Sequence, residues 1–207
     1  MLKVALGFLL ASFLWGFAFK GPLNFWLGIF IAGIGILIFG FSEERTRKII
    51  RPRREDLPVG ILSGIFIYSF FFAFAVFVKK FLPELYISVE EVKALKDLAP
   101  IYFSFPVALT VSVGEEVFWR GFVQRTLMEN LGKLKGYILS ILLYSLAHAF
   151  TFNLSLMVAA IGAGAFWGFP LHMEEGPNPI DNIPHNLGCT PLYLRYVKFS
   201  FSTSSKV

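Results

Sequence analysis

The chain has 207 residues, of which 56% are hydrophobic, 17% aromatic and only 16% charged, with a mean hydropathy of +0.65. That leaves too few polar groups to cover a water-soluble globule and far too many apolar ones for a disordered chain. The net charge of +5 would suit a nucleic-acid binder, but the basic residues gather at the ends of apolar runs, the pattern of membrane orientation, so nucleic acid is not expected as a partner. The single cysteine, Cys189, excludes an intramolecular disulfide, a four-cysteine zinc site and an iron–sulfur cluster.

After Lys3 the stretch Val4 to Phe19 carries no charge until Lys20. No small-residue cleavage site followed by a polar mature domain comes after it, so it reads as a first span and not as a signal peptide. Gly21 to Ser42 and Leu57 to Val78 are each 22 residues without a charge, long enough to cross a hydrocarbon core at ~1.5 Å per residue. Between them Arg45, Arg47, Lys48, Arg51, Arg53 and Arg54 mark a cytoplasmic loop, which places the N-terminus inside. Lys79 to Asp97 is a mixed-charge outer connector, where Ser88 and Glu91 resemble a capping box opening a short surface helix.

Leu98 to Gly114 is apolar and runs without a break into Glu115-Glu-Val-Phe-Trp-Arg120, so an acidic pair is expected on the fourth span, near its cytoplasmic half. Over Gly136 to Leu171 the only Asp, Glu, Lys, Arg or His is His148, and the length suits two helices hinged around Thr151 to Leu154. The expectation is an all-α, polytopic transmembrane helical bundle of about six spans, multi-pass in a membrane (the cell membrane in a prokaryote) and contacting lipid. Residues 1–97 would be accessory spans with their loops and 98–171 the helical core carrying the site. Residues 172–207 would be an irregular, anomalous tail, because apolar periodicity stops at His172 in favour of Glu174-Glu-Gly-Pro-Asn-Pro and a Ser/Thr-rich end.

An ionisable group at membrane depth costs at least ~2.5 kcal/mol, which makes each one a candidate site residue. At ~100° per residue Glu116 and Arg120 share a helix face and can pair, while Glu115 points about a quarter-turn away. The turn from Asn130 to Gly136 would return the chain antiparallel and bring His148 level with Glu115. A carboxylate facing an imidazole in a low-dielectric cavity can hold and deprotonate a water. The same residues also suit an ion pair that locks helices together beside a hydrogen-bonded core histidine, or the buried Glu and His of a transporter or proton relay. Spacing alone leaves these alternatives open.

The segment Gly114-Glu-Glu-Val-Phe-Trp-Arg-Gly-Phe-Val-Gln-Arg-Thr-Leu127 resembles the first motif, Glu-Glu-x-x-x-Arg, of the CPBP family of intramembrane proteases. That family includes the CAAX prenyl endopeptidases and bacteriocin-processing or immunity relatives. Leu142-Leu-Tyr-Ser-Leu-Ala-His-Ala-Phe150 is similar to the second motif, Phe-x-x-x-His, with Tyr144 standing where the family has phenylalanine. Ala163-Gly-Ala-Phe-Trp-Gly168 is similar to the glycine-rich helix that follows. The resemblance covers about Leu98 to Gly168. It implies an endopeptidase in which Glu115 is general base on the attacking water, His148 helps to hold that water, and Glu116 with Arg120 supports the site. It implies a peptide or lipid-modified protein as substrate. It leaves zinc open as a cofactor: a metal needs about three protein ligands, and Glu115 with His148 would supply two. The alternative function is a non-catalytic membrane binding or bacteriocin-immunity protein in which Glu116 and Arg120 are structural only.

The family's third motif, His-x-x-x-Asn or Asp, is missing: four residues after His185 stands Cys189, in a proline-rich setting. A slip of one base accounts for both the missing motif and the composition break. Reading the second and third bases of each codon with the first base of the next, the Met173/Glu174 junction is forced to tryptophan and the next two junctions to lysine or arginine. Downstream, Pro184/His185 can give histidine and Gly188/Cys189 aspartate, which restores His-x-x-x-Asp. One extra base, or two missing, near the codons for Gly168 and Phe169 would suffice. A divergent terminus is the alternative.

Overall fold

The computed structural model describes residues 1–49, 57–96 and 98–174, and these fold into helices with no strand among them. The first span is α1 (Leu2–Lys20), closed by Gly21, whose N–H bonds to Phe17 O at 2.8 Å. The Asn24 side chain then accepts from Trp26 N–H and starts α2 (Phe25–Ser42). After α3 (Glu44–Ile49) come α4 (Leu57–Phe81) and α5 (Pro83–Lys96). One continuous rod follows: α6 (Ile101–Glu115), a π-helical stretch over Glu116–Gln124, and α7 (Arg125–Leu131). The last two helices are α8 (Lys133–His148) and α9 (Leu154–Glu174), joined by a 3₁₀ turn over Ala149–Thr151. Six helical segments are long and apolar enough to cross a membrane, in agreement with the expected multi-pass architecture.

Small residues set the helix spacing. A Cβ at Gly114 would lie 2.5 Å from Gly33 O, so α2 and α6 touch backbone to backbone one residue before Glu115, a contact that only glycine permits. Around this seam Trp15, Ile36, Val111, Phe118, Trp119, Phe122, Val123 and Leu127 form the buried core. One end of the bundle is laced by ion pairs, Lys3 with Glu43 at 2.8 Å and Arg45 with Glu129. The opposite end carries α5 and the 149–153 turn. The helix α4 is more peripheral. It meets α9 through stacked Phe66 and Phe166, 5.1 Å apart, and leaves much of its phenylalanine-rich surface exposed, as suits a face turned to lipid.

Three local expectations change. Ser88 and Glu91 do not open a helix: α5 starts at Pro83, and both residues lie inside it. Asn153 Nδ2 donates to Ser88 O at 2.8 Å and to the Glu91 carboxylate at 3.0 Å, so the pair is spent on a tertiary clamp. The return between α7 and α8 is the single residue Gly132, whose φ of +83° lies in the region open to glycine. The helix α9 continues to Glu174, past the composition break at His172. The remainder of the tail, with Pro184, His185 and Cys189, lies outside the described residues, as does the basic run Arg51, Arg53 and Arg54.

Candidate active site

Glu115 is the last residue of regular α6 and stands midway along the 31-residue span Ile101–Leu131. From Glu116 the helix widens to the π form, a rare geometry that in proteins concentrates at functional positions. Glu116 and Arg120 still meet, with Glu116 Oε1 3.5 Å from Arg120 Nε, but the two differ in setting. The Glu116 side chain is 45% exposed and the Arg120 side chain only 9%. Arg120 is held from several sides: an Nη2–H donates to Ala163 O at 3.2 Å, and the guanidinium lies 4.7 Å from the Tyr144 ring centre and 6.0 Å from that of Trp167.

Glu115 turns the other way. Its Oε1 lies 3.8 Å from His148 Nε2 and has no hydrogen-bond partner although it is buried. The imidazole is fixed by three contacts. Its Nδ1 lies 2.9 Å from Tyr144 O, its face meets the Trp15 indole at 5.1 Å, and its edge meets the Tyr144 ring at 4.8 Å and 88°. The His148 backbone carbonyl accepts from Thr151 Oγ1 at 2.7 Å. Tyr144 O, a carbonyl, only accepts, so Nδ1 carries the hydrogen. In the neutral ring Nε2 then presents its lone pair toward Glu115. The four residues singled out by the sequence are thus gathered in two adjoining pairs.

The sequence reading missed the supports. Trp15, from the first span, covers the imidazole. Gln124, one further i+4 step along the face of Glu116 and Arg120, donates to Gly168 O at 2.8 Å, and Tyr137 donates to Ala165 O at 2.8 Å. With Arg120 on Ala163 O, three donors pin the carbonyls of α9 beside the site. A small cavity bordered by Arg120, Gln124, Ser140, Tyr144 and Gly164 lies behind them. Only the Glu116/Gln124 spacing could have flagged one of these groups, since a polar contact to a distant helix carbonyl leaves no periodic trace.

The model of the type II CAAX prenyl endopeptidase Rce1-like family matches residues 97–175. Those residues are similar to an Rce1-like domain. The match contains both pairs, Glu116 with Arg120 and Glu115 with His148, and also Tyr144 and the pinned carbonyls of α9. Comparison with curated proteins and with solved structures found no match. The family implies a CAAX-type intramembrane protease, and its protease chemistry implies a peptide substrate.

Zinc finds an incomplete donor set here. Glu115 and His148 offer one oxygen and one nitrogen, whereas a catalytic zinc takes about three protein ligands. No group of three His, Cys, Asp or Glu side chains is assembled among the described residues. The described residues therefore do not make up a zinc site by themselves, and no step below is routed through a metal.

Proposed function

We propose that this chain has the fold and site of an intramembrane endopeptidase that hydrolyses a peptide bond with a water activated by Glu115 and His148. The observation that carries the reading is the unpartnered Glu115 Oε1 facing His148 Nε2 at 3.8 Å. Both atoms are acceptors, and a water has two hydrogens to give, one to each. Glu115 takes one proton as the water oxygen attacks the substrate carbonyl, then returns it to the departing amine, so that acid and amine products balance one water consumed. His148 holds the water, and Glu116 with Arg120 keeps the α6 and α9 walls in place. The substrate class is a peptide near a lipid-anchored or membrane-embedded terminus. The N-terminus is on the cytoplasmic side, residues 1–97 support the site, and residues 98–171 form the catalytic core.

A second feature bears on the chain as written. The family match stops at residue 175, beside the composition break, and no third motif follows. Without that polar pair the developing oxyanion lacks the partner that the third motif would supply, an omission that costs about 10²–10³ in rate. We propose that the tail arises from a one-base slip and that this 207-residue form is nearly inactive.

The test is cleavage of lipid-modified and membrane-anchored peptides in reconstituted vesicles, using both the chain as written and the frame-restored chain. Glu115→Gln should abolish turnover while the protein stays folded. If the frame-restored chain cleaves nothing across the panel, the enzyme reading gives way to membrane binding or immunity. A chelator arm decides the metal: loss of activity with chelator, restored by zinc, would show that a donor outside the described residues completes a zinc site.

A further inference from the structure

The first span brings to the site a polar group that has no partner. Trp15 on α1 is 4% exposed, and its indole packs on the His148 imidazole with ring centres 5.1 Å apart. The contact is backed by the main chain: a Cβ on the next residue, Gly16, would meet Phe150 O at 3.4 Å, so α1 rides directly on the 3₁₀ turn that follows His148. The Trp15 Nε1–H is buried with no hydrogen-bond partner among the described residues. By contrast, Trp26 on α2 donates from its indole to Leu95 O at 3.0 Å. A buried tryptophan N–H normally finds an acceptor, and a buried polar group that lacks one in a native protein calls for a reason, a catalytic role among them.

The chemistry of the site lacks what this group offers. The Glu115 carboxylate only accepts, His148 presents a lone pair at Nε2 and has its Nδ1 hydrogen on Tyr144 O, and Arg120 is turned to Glu116 and to Ala163 O. Two acceptors can hold a water and take its proton, but they do nothing for the negative oxygen that forms when that water attacks a carbonyl. An indole N–H is a donor and nothing else. A water held between Glu115 Oε1 and His148 Nε2 must stand about 3–3.5 Å from the carbon it attacks, and the carbonyl oxygen is ~1.2 Å from that carbon. The oxyanion therefore forms within a few ångströms of the imidazole, in the small volume that the Trp15 indole borders.

We infer that Trp15 is a catalytic residue supplied by the first span, whose Nε1–H donates to the substrate carbonyl oxygen as it becomes the oxyanion. The inference deepens, and rests on, the reading of Glu115 and His148 as the pair that activates water. As the water oxygen bonds to the carbonyl carbon, the C=O π pair moves onto oxygen, where the indole N–H meets it and keeps its own proton. The pair returns to the carbon when the amine leaves. Trp15 lies outside residues 97–175, which match the family, so α1 belongs to the catalytic apparatus and not only to its scaffold. A donor from the third motif would act beside it.

The substitution Trp15→3-benzothienylalanine tests this in the frame-restored full chain in vesicles, because sulfur takes the place of the N–H and the two-ring shape stays. On a panel peptide that the parent cleaves, kcat should fall by about 10²–10³-fold, the worth of one oxyanion donor, with KM little changed. Affinity for a peptide phosphinate, whose tetrahedral anionic P–O group stands for the oxyanion, should fall by a similar factor. The thermal midpoint should stay level or rise, since the deleted hydrogen leaves no acceptor unpaired. Unchanged kcat and phosphinate affinity overturn the inference and leave the protease reading intact. A rate loss that comes with a lower thermal midpoint also overturns it, as the mark of a packing role. Trp15→Phe, which loses the N–H and one ring, adds a check: full activity in the benzothienylalanine protein beside a slow Trp15→Phe would mean that ring shape and not the N–H is what counts. A frame-restored parent that cleaves no panel peptide removes the protease reading and this inference with it.

Discussion

Glu116 and Arg120 are one ion pair with two unequal members. Arg120 is nearly buried and gives a charged hydrogen bond to Ala163 O, an interaction worth about 1.5–3 kcal/mol, in addition to its contact with the Tyr144 ring. Glu116 is half-exposed, and among the described residues its side chain has Arg120 as its ion-pair partner. Arg120→Met should therefore destabilise the protein by about 2–3 kcal/mol, and Glu116→Gln by less than about 1 kcal/mol, both read from unfolding in mixed micelles. Equal losses would mean that the pair, and not the α9 contact, is what Arg120 contributes. The pairing was legible from the i+4 spacing, and so was the isolation of Glu115. The spacing could not show that Arg120 is chiefly an anchor for α9, because Ala163 is 43 residues away in the chain.

Two elements show where periodicity informs and where it fails. The six apolar runs became six spans because length and absence of charge are sufficient conditions in a bilayer. The π-helical stretch over Glu116–Gln124 left no mark in the apolar pattern, since Phe118, Trp119, Phe122 and Val123 are all buried and would be apolar in either helix type. The α7–α8 hairpin depends on a close approach: a Cβ at Gly136 would stand 2.3 Å from Met128 N. Gly136→Ala must push the two helices apart, moving His148 relative to Glu115. It should lower stability by about 1–3 kcal/mol, the range for overpacking, and should lower the thermal midpoint of the purified protein. At the other end α5 is held by Asn153, which is 5% exposed and whose Oδ1 also accepts from Ser155 Oγ at 2.6 Å and Leu156 N at 3.1 Å. The exposed pair on α5 is secondary. Lys93 donates to Glu90 at 2.9 Å, and this bond holds the Glu90 carboxyl below its ordinary value. The stabilisation it gives is present above that ordinary value and is lost as the pH falls through the lowered one. Asn153→Ala should expose α5 to amide hydrogen exchange at neutral pH, whereas protonating Glu90 in the parent should not.

The whole molecule is a bundle in which the first two spans are built into the site: Trp15 covers His148, and Gly33 abuts Gly114. The last described helix, α9, is fastened to the site at Ala163, Ala165 and Gly168, and at its far end His172 stacks on Tyr137 at 5.0 Å. Whatever chain follows α9 therefore starts from a wall of the site. In the shifted frame the genetic code permits a basic turn followed by an apolar run carrying His-x-x-x-Asp, which would return antiparallel along the bundle and bring two polar groups toward the Glu115–His148 pair. In the frame as written the same stretch is Glu174-Glu-Gly-Pro-Asn-Pro, whose prolines interrupt a spanning helix and whose carboxylates resist lipid. Removing one base near the codons for Gly168 and Phe169 should raise peptide cleavage in vesicles by about 10²–10³, the worth of one oxyanion partner. The gain should vanish in the double variant that also carries Glu115→Gln, because an oxyanion partner has nothing to stabilise when no water is activated. A gain that survives Glu115→Gln would mean a different nucleophile. An unbroken frame encoding the tail as written in independent isolates would mean that the tail is native and that the site must work, if it works, without a third motif.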